Sequence, residues 1–389
     1  MGAGGEEGGE AEEGEEGEVE GAGHTLVLLG IGGDGEGVRQ VMGCVWKILD
    51  GWGMGGAEVG VGSGMGKLHF LGMSLEVLPR VMADGPLAPF ILESMLGKVS
   101  WVEWSEEAGS DDGLVEAIYT YGHPRVDGAM MDRFPRLRVV SNYGVGVDHI
   151  DLVAAALRGI PVGNTPGILD GATADMGFAL LLACARRVVE GDAYARSAEF
   201  TVYDPGYLLG TEVHSSTLGI VGMGRIGLEV ARRGRGFGMR VLYHNRSRRL
   251  DAEGEIGVEY AGFDALLAES DFIVLCCPLT GETRGLMDAR AFSRMKRTSV
   301  LVNIARGGVV DTGALVEALR TGLIAGAGID VTEPEPLPRD HPLLSMRNVV
   351  IAPHLGSATV QTRKKMAERS LANLRAGLDG EPLPFRIGG

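Results

Sequence analysis

The sequence predicts an α/β protein made of two parallel-sheet domains. Three observations carry that prediction. At 389 residues the chain exceeds what one ordinary hydrophobic core holds. Short β-rich apolar runs alternate with helical stretches from about residue 67 onward. The alternation then restarts near Ser216, where STLGIVGMGRIG reads as a strand, a tight glycine turn and the start of a helix.

Residues 1–23 are a Gly/Glu low-complexity stretch that cannot bury enough apolar surface to offset its ordering entropy. In 24–66, His24–Ile31 reads as a strand and Val38–Leu49 as a short helix, followed by the linker-like GMGGAEVGVGSGMG. Residues 1–66 are therefore expected to form a disordered extension. KLHFLGM, from Lys67, is predicted as the first strand of the first domain. PLAPFILESML follows as a helix, VSWVEW as a strand, and AIYTYG and LRVVSNYG as further strands. One long apolar helix is expected from Asp170 to about Arg196 as a connector. MRVLYHN, DFIVLCC, SVLVNIA, IAGAGID and NVVIAP then supply the second sheet, and 361–378 forms a helix returning to the first domain. The expected division is 67–166 plus 355–389 for the first domain and 167–354 for the second.

Composition excludes several classes. The formal charge is −16, but nine Glu and no Lys or Arg lie in the first twenty residues, and without those nine the charge falls to −7. No basic stripe points to nucleic acid. Cys44, Cys184, Cys276 and Cys277 have no CxxC spacing, which argues against a zinc module or a disulfide scaffold and fits a reducing compartment. No metal is expected. No run of 18 apolar residues is present, and the acidic start lacks the basic flank of a signal peptide. The expectation is a cytoplasmic protein without membrane or nucleic-acid partners.

Glycine makes up 63 of the residues, so a glycine pattern alone carries little weight here. Gly222, Gly224 and Gly227 nevertheless fall directly after a strand and open a helix. There the first allows the turn, the second lets backbone approach a pyrophosphate, and the third lets the helix pack on the strand. NAD enzymes usually place Asp or Glu near the end of the next strand to hold the ribose 2′-hydroxyl. This chain has Asn245, Arg246 and Ser247 at that point. A guanidinium fork suits a phosphate, so NADP is expected over NAD.

Ligands bind beyond the carboxyl ends of parallel strands. Those ends supply Arg306 after SVLVNIA, Asp330 with Glu335 just beyond after IAGAGID, and His354 after NVVIAP. Reduction of a 2-keto acid needs a cation for the carboxylate and carbonyl, and a proton donor for the developing alkoxide. A carboxylate beside the donor imidazole favours its charged form. Taken singly, each residue also has an ordinary explanation as a surface charge or loop histidine. Asp148 is expected to fix its loop, and Cys276 and Cys277 to be small core residues.

These residues carry a resemblance. NIARGGVVD (303–311), GIDVTEPEPLP (328–338) and PHLGSAT (353–359) resemble the signature blocks of the D-2-hydroxyacid dehydrogenase family. NYGVGVDHIDL, NTPG, TLGIVGMGRIG and PLTGETRGL fit it in order and spacing, and HNRS with the C-terminal blocks is most similar to glyoxylate/hydroxypyruvate reductases. The resemblance covers about residue 67 to the end. It implies a flavodoxin-like substrate domain and a Rossmann-type domain with a cleft between them. It implies that Arg306 binds the substrate carboxylate and activates the carbonyl, that His354 is the acid/base and that Glu335 pairs with it. Val145 and Gly146 would grip the carboxylate through backbone amides, and Asp330 would hold the nicotinamide carboxamide. Pro278, Thr283 and Ala305 would line the cofactor cleft, with Arg225, Ile226, His354 and Gly356 completing the cofactor set. It also implies a homodimer, with an arm around Tyr203–Leu209 reaching the second copy. The implied activity is NADPH-dependent reduction of glyoxylate or hydroxypyruvate to a D-2-hydroxy acid. Two alternatives stay open: another 2-keto acid such as 2-ketogluconate, or a non-enzymatic dinucleotide-sensing corepressor on the same fold.

Overall fold

Runs such as FIVL (272–275) and VLVN (300–303) are apolar at nearly every position because both faces of a parallel sheet are covered. The computed structural model describes residues 59–61, 67–70, 73–76, 78–107, 109 and 112–388. The expectations for residues 1–23, His24–Ile31 and Val38–Leu49 lie outside them.

Before the parallel sheets, β1 (Val59–Val61), β2 (Lys67–Phe70) and β3 (Met73–Glu76) form a three-stranded antiparallel sheet in the order β1-β2-β3. This corrects two expectations. Part of the supposed linker GMGGAEVGVGSGMG is strand, and the KLHF strand pairs antiparallel with both neighbours instead of opening the first parallel sheet.

That parallel sheet begins at β4 (Arg80–Ala83), which sequence reading passed over because only four residues carry it. β5 (Ser100–Glu103), β6 (Val115–Thr120), β7 (Val139–Asn142) and β8 (Val162–Gly163) complete it in the order β5-β4-β6-β7-β8. This is the flavodoxin-like arrangement. The second parallel sheet contains β9 (Thr217–Val221), β10 (Arg240–His244), β11 (Glu259–Tyr260), β12 (Phe272–Leu275), β13 (Val300–Asn303), β14 (Gly326–Ile329) and β15 (Val349–Ile351). Its order, β11-β10-β9-β12-β13-β14-β15, is the doubly wound dinucleotide-binding order with one strand added. Alternate residues serve opposite cores: Phe272 and Val274 face one layer, Ile273 and Leu275 the other.

The connector is two helices, Asp170–Ala185 and Val188–Ala195, instead of one. Arg187 breaks it in the left-handed region (φ 52°), and its guanidinium pairs with Glu190 at 2.8 Å. ARRVV contains neither Gly nor Pro, so nothing local signalled the break. The tail helix, Val360–Asp379, packs on β6 and β7 of the first parallel sheet. It is capped by Thr359, whose hydroxyl accepts the Thr362 amide, and ends at the left-handed Gly380. No described helix is long and apolar enough to cross a membrane.

Candidate active site

Loops from the carboxyl ends of both parallel sheets line one cleft of about 1610 Å³. From the seven-stranded sheet, β13 leads to Arg306, β14 to Asp330 and Glu335, and β15 to His354, and all four face the cleft. His354 Nδ1 lies 2.6 Å from Glu335 Oε1. Burial pushes the Glu335 carboxyl up, but the His354 hydrogen bond and charge outweigh it and hold the group below its usual range. The Asp330 carboxylate is buried, and burial raises it. Its two oxygens accept the amides of Leu355 (2.6 Å) and Gly356 (2.8 Å), so its first partners are the turn that carries His354.

From the five-stranded sheet, the loop after β7 faces Arg306. Asn142 Nδ2 donates to the carbonyls of Gly144 and Gly146 at 3.0 and 2.9 Å, and Asn164 Nδ2 to that of Val145 at 2.9 Å. With the carbonyls held, the Val145 and Gly146 amides have no hydrogen-bond acceptor among the described residues. A Cβ on Gly146 would overlap the Arg306 guanidinium, so glycine is what admits that approach. Asp148 Oδ1 accepts from Arg306 Nε at 2.9 Å. Burial pushes the Asp148 carboxyl up, and Arg306 more than reverses it. Asp148 thus orients the guanidinium directly, beyond the loop-fixing role expected of it.

The glycine turn faces the same cleft. Gly222 has φ 100°, and a Cβ there would stand 2.6 Å from the Cys277 amide nitrogen. Gly224 caps the helix Arg225–Gly236, and Gly224, Arg225 and Ile226 line the cleft, while Gly227 lies against the Gly222 carbonyl. Pro278, Ala305 and Gly356 are also in the lining. Thr283 is not: its hydroxyl donates to the Pro278 carbonyl (2.6 Å) and accepts the Thr280 amide (2.8 Å), so it braces the loop from behind while Thr280 and Gly281 face the cleft. Asn245, Arg246 and Ser247 lie outside the lining, after β10. Asn245 Nδ2 donates to the Ser247 carbonyl at 3.1 Å, and the Arg246 side chain is 86% exposed with Glu282 at 3.9 Å. Burial pushes the Cys276 and Cys277 thiols up, Cys277 to about 11, which suits packing residues.

Three residues were missed. Arg249 Nη1 donates to the Met223 carbonyl inside the glycine turn at 2.8 Å. His123 stacks on His354 with ring centroids 5.4 Å apart and planes 8° apart, and His149 meets His123 edge-on at 5.0 Å. The run of arginines at 246–249 was a signal for the first; GHPRVD carried none for His123, and NYGVGVDHIDL none that His149 would stand behind it.

Comparison with known proteins agrees with this geometry. Residues 178–356 match the model of the D-isomer-specific 2-hydroxyacid dehydrogenase NAD-binding domain. A glyoxylate reductase of Thermococcus kodakarensis is 51% identical over 277 residues, 70% of this chain and 83% of that protein. The NADPH-dependent glyoxylate/hydroxypyruvate reductase of Sinorhizobium meliloti, solved with NADP and malonate, superposes with a TM-score of 0.73 at 33% identity, over 80% of this chain and 97% of that one. A D-lactate dehydrogenase of Aquifex aeolicus, solved with NAD and lactic acid, gives 0.72 at 29% identity, over 80% and 99%. The chain belongs to the D-isomer-specific 2-hydroxyacid dehydrogenase family of NAD(P)-dependent oxidoreductases.

Proposed function

We propose that this chain reduces glyoxylate and hydroxypyruvate to the corresponding D-2-hydroxy acids and prefers NADPH to NADH. The observation that carries the reading is the 2.6 Å His354–Glu335 pair in the same cleft as Arg306 and the glycine turn. The turn fits a dinucleotide: only glycine at 222 clears the Cys276–Cys277 backbone, a Cβ position at Gly224 in the cleft lining meets open space, and a helix N-terminus opens beside it. The exposed Arg246 guanidinium, with a single carboxylate at 3.9 Å, is available to a 2′-phosphate. A bound nicotinamide supplies the hydride.

The chain's own groups do the rest. Arg306 and the free amides of Val145 and Gly146 hold the substrate carboxylate, and the guanidinium polarises the carbonyl. His354 donates a proton from Nε2 to the developing alkoxide, while Glu335 on Nδ1 fixes the orientation of the ring. Asp330 holds the backbone turn from which the imidazole projects.

The test is a panel of 2-keto acids assayed with both cofactors. Glyoxylate and hydroxypyruvate should give the highest kcat/KM, and NADPH should exceed NADH by about tenfold or more, the worth of one or two charge-assisted hydrogen bonds. Equal efficiencies with both cofactors would refute the NADPH preference. A clear lead for 2-ketogluconate would replace the substrate.

A further inference from the structure

We propose that His123 determines substrate specificity, recognising a hydroxyl on C3 of the 2-keto acid; this rests on the reading that Arg306 and His354 flank the reacting carbonyl. With the carboxylate on Arg306 and the 145–146 amides, and the carbonyl oxygen at His354, the remaining substituent of C2 points to the wall formed by the loop after β6. That loop is Tyr121–Gly122–His123.

Three observations fit a polar recognition group there. First, the loop is held rigidly: both oxygens of the Asp84 carboxylate accept amides, from Tyr121 at 2.5 Å and Gly122 at 2.6 Å. Second, His123 takes φ 68°, a backbone state rare for a non-glycine residue and concentrated at functional sites. Third, no hydrogen bond engages its ring among the described residues, although the ring lines the cleft. His149 backs it edge-on, and neither His149 ring nitrogen has a hydrogen-bond partner, so nothing behind competes for His123. Burial, aided by the charge of Arg306, lowers the His123 pKa to about 3. The ring is therefore neutral, with one donor and one acceptor nitrogen, the complement of a hydroxyl.

A site built to bond a substrate hydroxyl discriminates against an analogue that puts a methyl group there, because the methyl excludes water and leaves the site's own polar group unpaired; glyoxylate, with no C3, leaves that space to water. Pyruvate and hydroxypyruvate differ by that hydroxyl alone. The test measures kcat/KM for both with wild type, His123→Phe and His123→Asn. Their ratio cancels any general loss from disturbing the stack on His354. Wild type should favour hydroxypyruvate by about tenfold or more. His123→Phe should bring the ratio close to one. His123→Asn keeps a donor and an acceptor and tolerates positive φ, so it should restore part of the preference. A His123→Phe ratio within about twofold of wild type overturns this inference alone. A wild-type chain that reduces no 2-keto acid overturns the reading beneath it as well.

Discussion

The two parallel sheets build opposite walls of one cleft by different means. The seven-stranded sheet contributes side chains: Arg306, Glu335 and His354 stand beyond three adjacent strands, β13, β14 and β15. The five-stranded sheet contributes mainly backbone, the amides of Val145 and Gly146, which Asn142 and Asn164 present by taking the neighbouring carbonyls. Chemistry carried by side chains at strand ends tolerates little substitution. Chemistry carried by amides depends on what holds the loop.

The largest effects should come from the side-chain wall. His354→Ala removes the proposed proton donor and should lower kcat by about 10³-fold, within the range for general acid catalysis. Arg306→Gln should lower kcat/KM by a similar factor. In both variants NADPH affinity, measured by calorimetry, should stay within about threefold of wild type, because the glycine turn lies on other strands. Near-normal turnover by His354→Ala would remove the proposed acid.

The backbone wall is tested next. Gly146→Ala places a methyl where the Arg306 guanidinium lies. The guanidinium must move by an ångström or more, and misplacement of that size costs about 10²-fold in rate. The expected result is a fall of that order in kcat/KM with the thermal midpoint little changed. If Gly146→Ala were as active as wild type, the guanidinium would not need its observed place against the loop, and the contrast between the walls would weaken.

The same contrast decides what was legible in the sequence. The seven-stranded domain was readable because local signals coincide with the cleft lining: a glycine turn directly after a strand, and charged residues directly after apolar runs. Arg306, Glu335 and His354 do line one cleft, as their positions predicted. The other wall depends on long-range contacts. Asn164 reaches Val145, and Asp84 reaches Tyr121 and Gly122, across separations no periodicity reports. His123 was invisible because a lone histidine before a proline has no pattern. Thr283 was misplaced because a hydroxyl in a turn can face the cleft or brace the loop, and only coordinates choose. β4 escaped because four residues between Pro79 and the Gly85–Pro86 pair are too short a run to show alternation.

The smallest effect concerns how the tail helix meets the five-stranded sheet. Helix Val360–Asp379 docks through polar pegs as well as apolar packing. The Tyr119 hydroxyl of β6 lies 2.8 Å from Ser370 Oγ, and Ser141 Oγ of β7 donates to the Ser370 carbonyl at 2.7 Å. All three residues are fully buried, and Ser370 Oγ can also donate to the Met366 carbonyl at 2.9 Å. In that arrangement the Tyr119 hydroxyl is the donor to Ser370. Tyr119→Phe then removes one donor and leaves the serine hydroxyl still bonded to the helix. The cost should be about 1 kcal/mol, one neutral buried hydrogen bond, read as a modest fall in urea midpoint at unchanged slope. Turnover should not change, because the pair lies in the sheet-to-helix layer and not in the cleft lining. A loss of kcat would show that tail-helix docking sets the position of Tyr143, which lines the cleft and whose hydroxyl donates to the Arg363 carbonyl of that helix at 2.9 Å. The backbone wall would then be held by the tail as well as by the two asparagines.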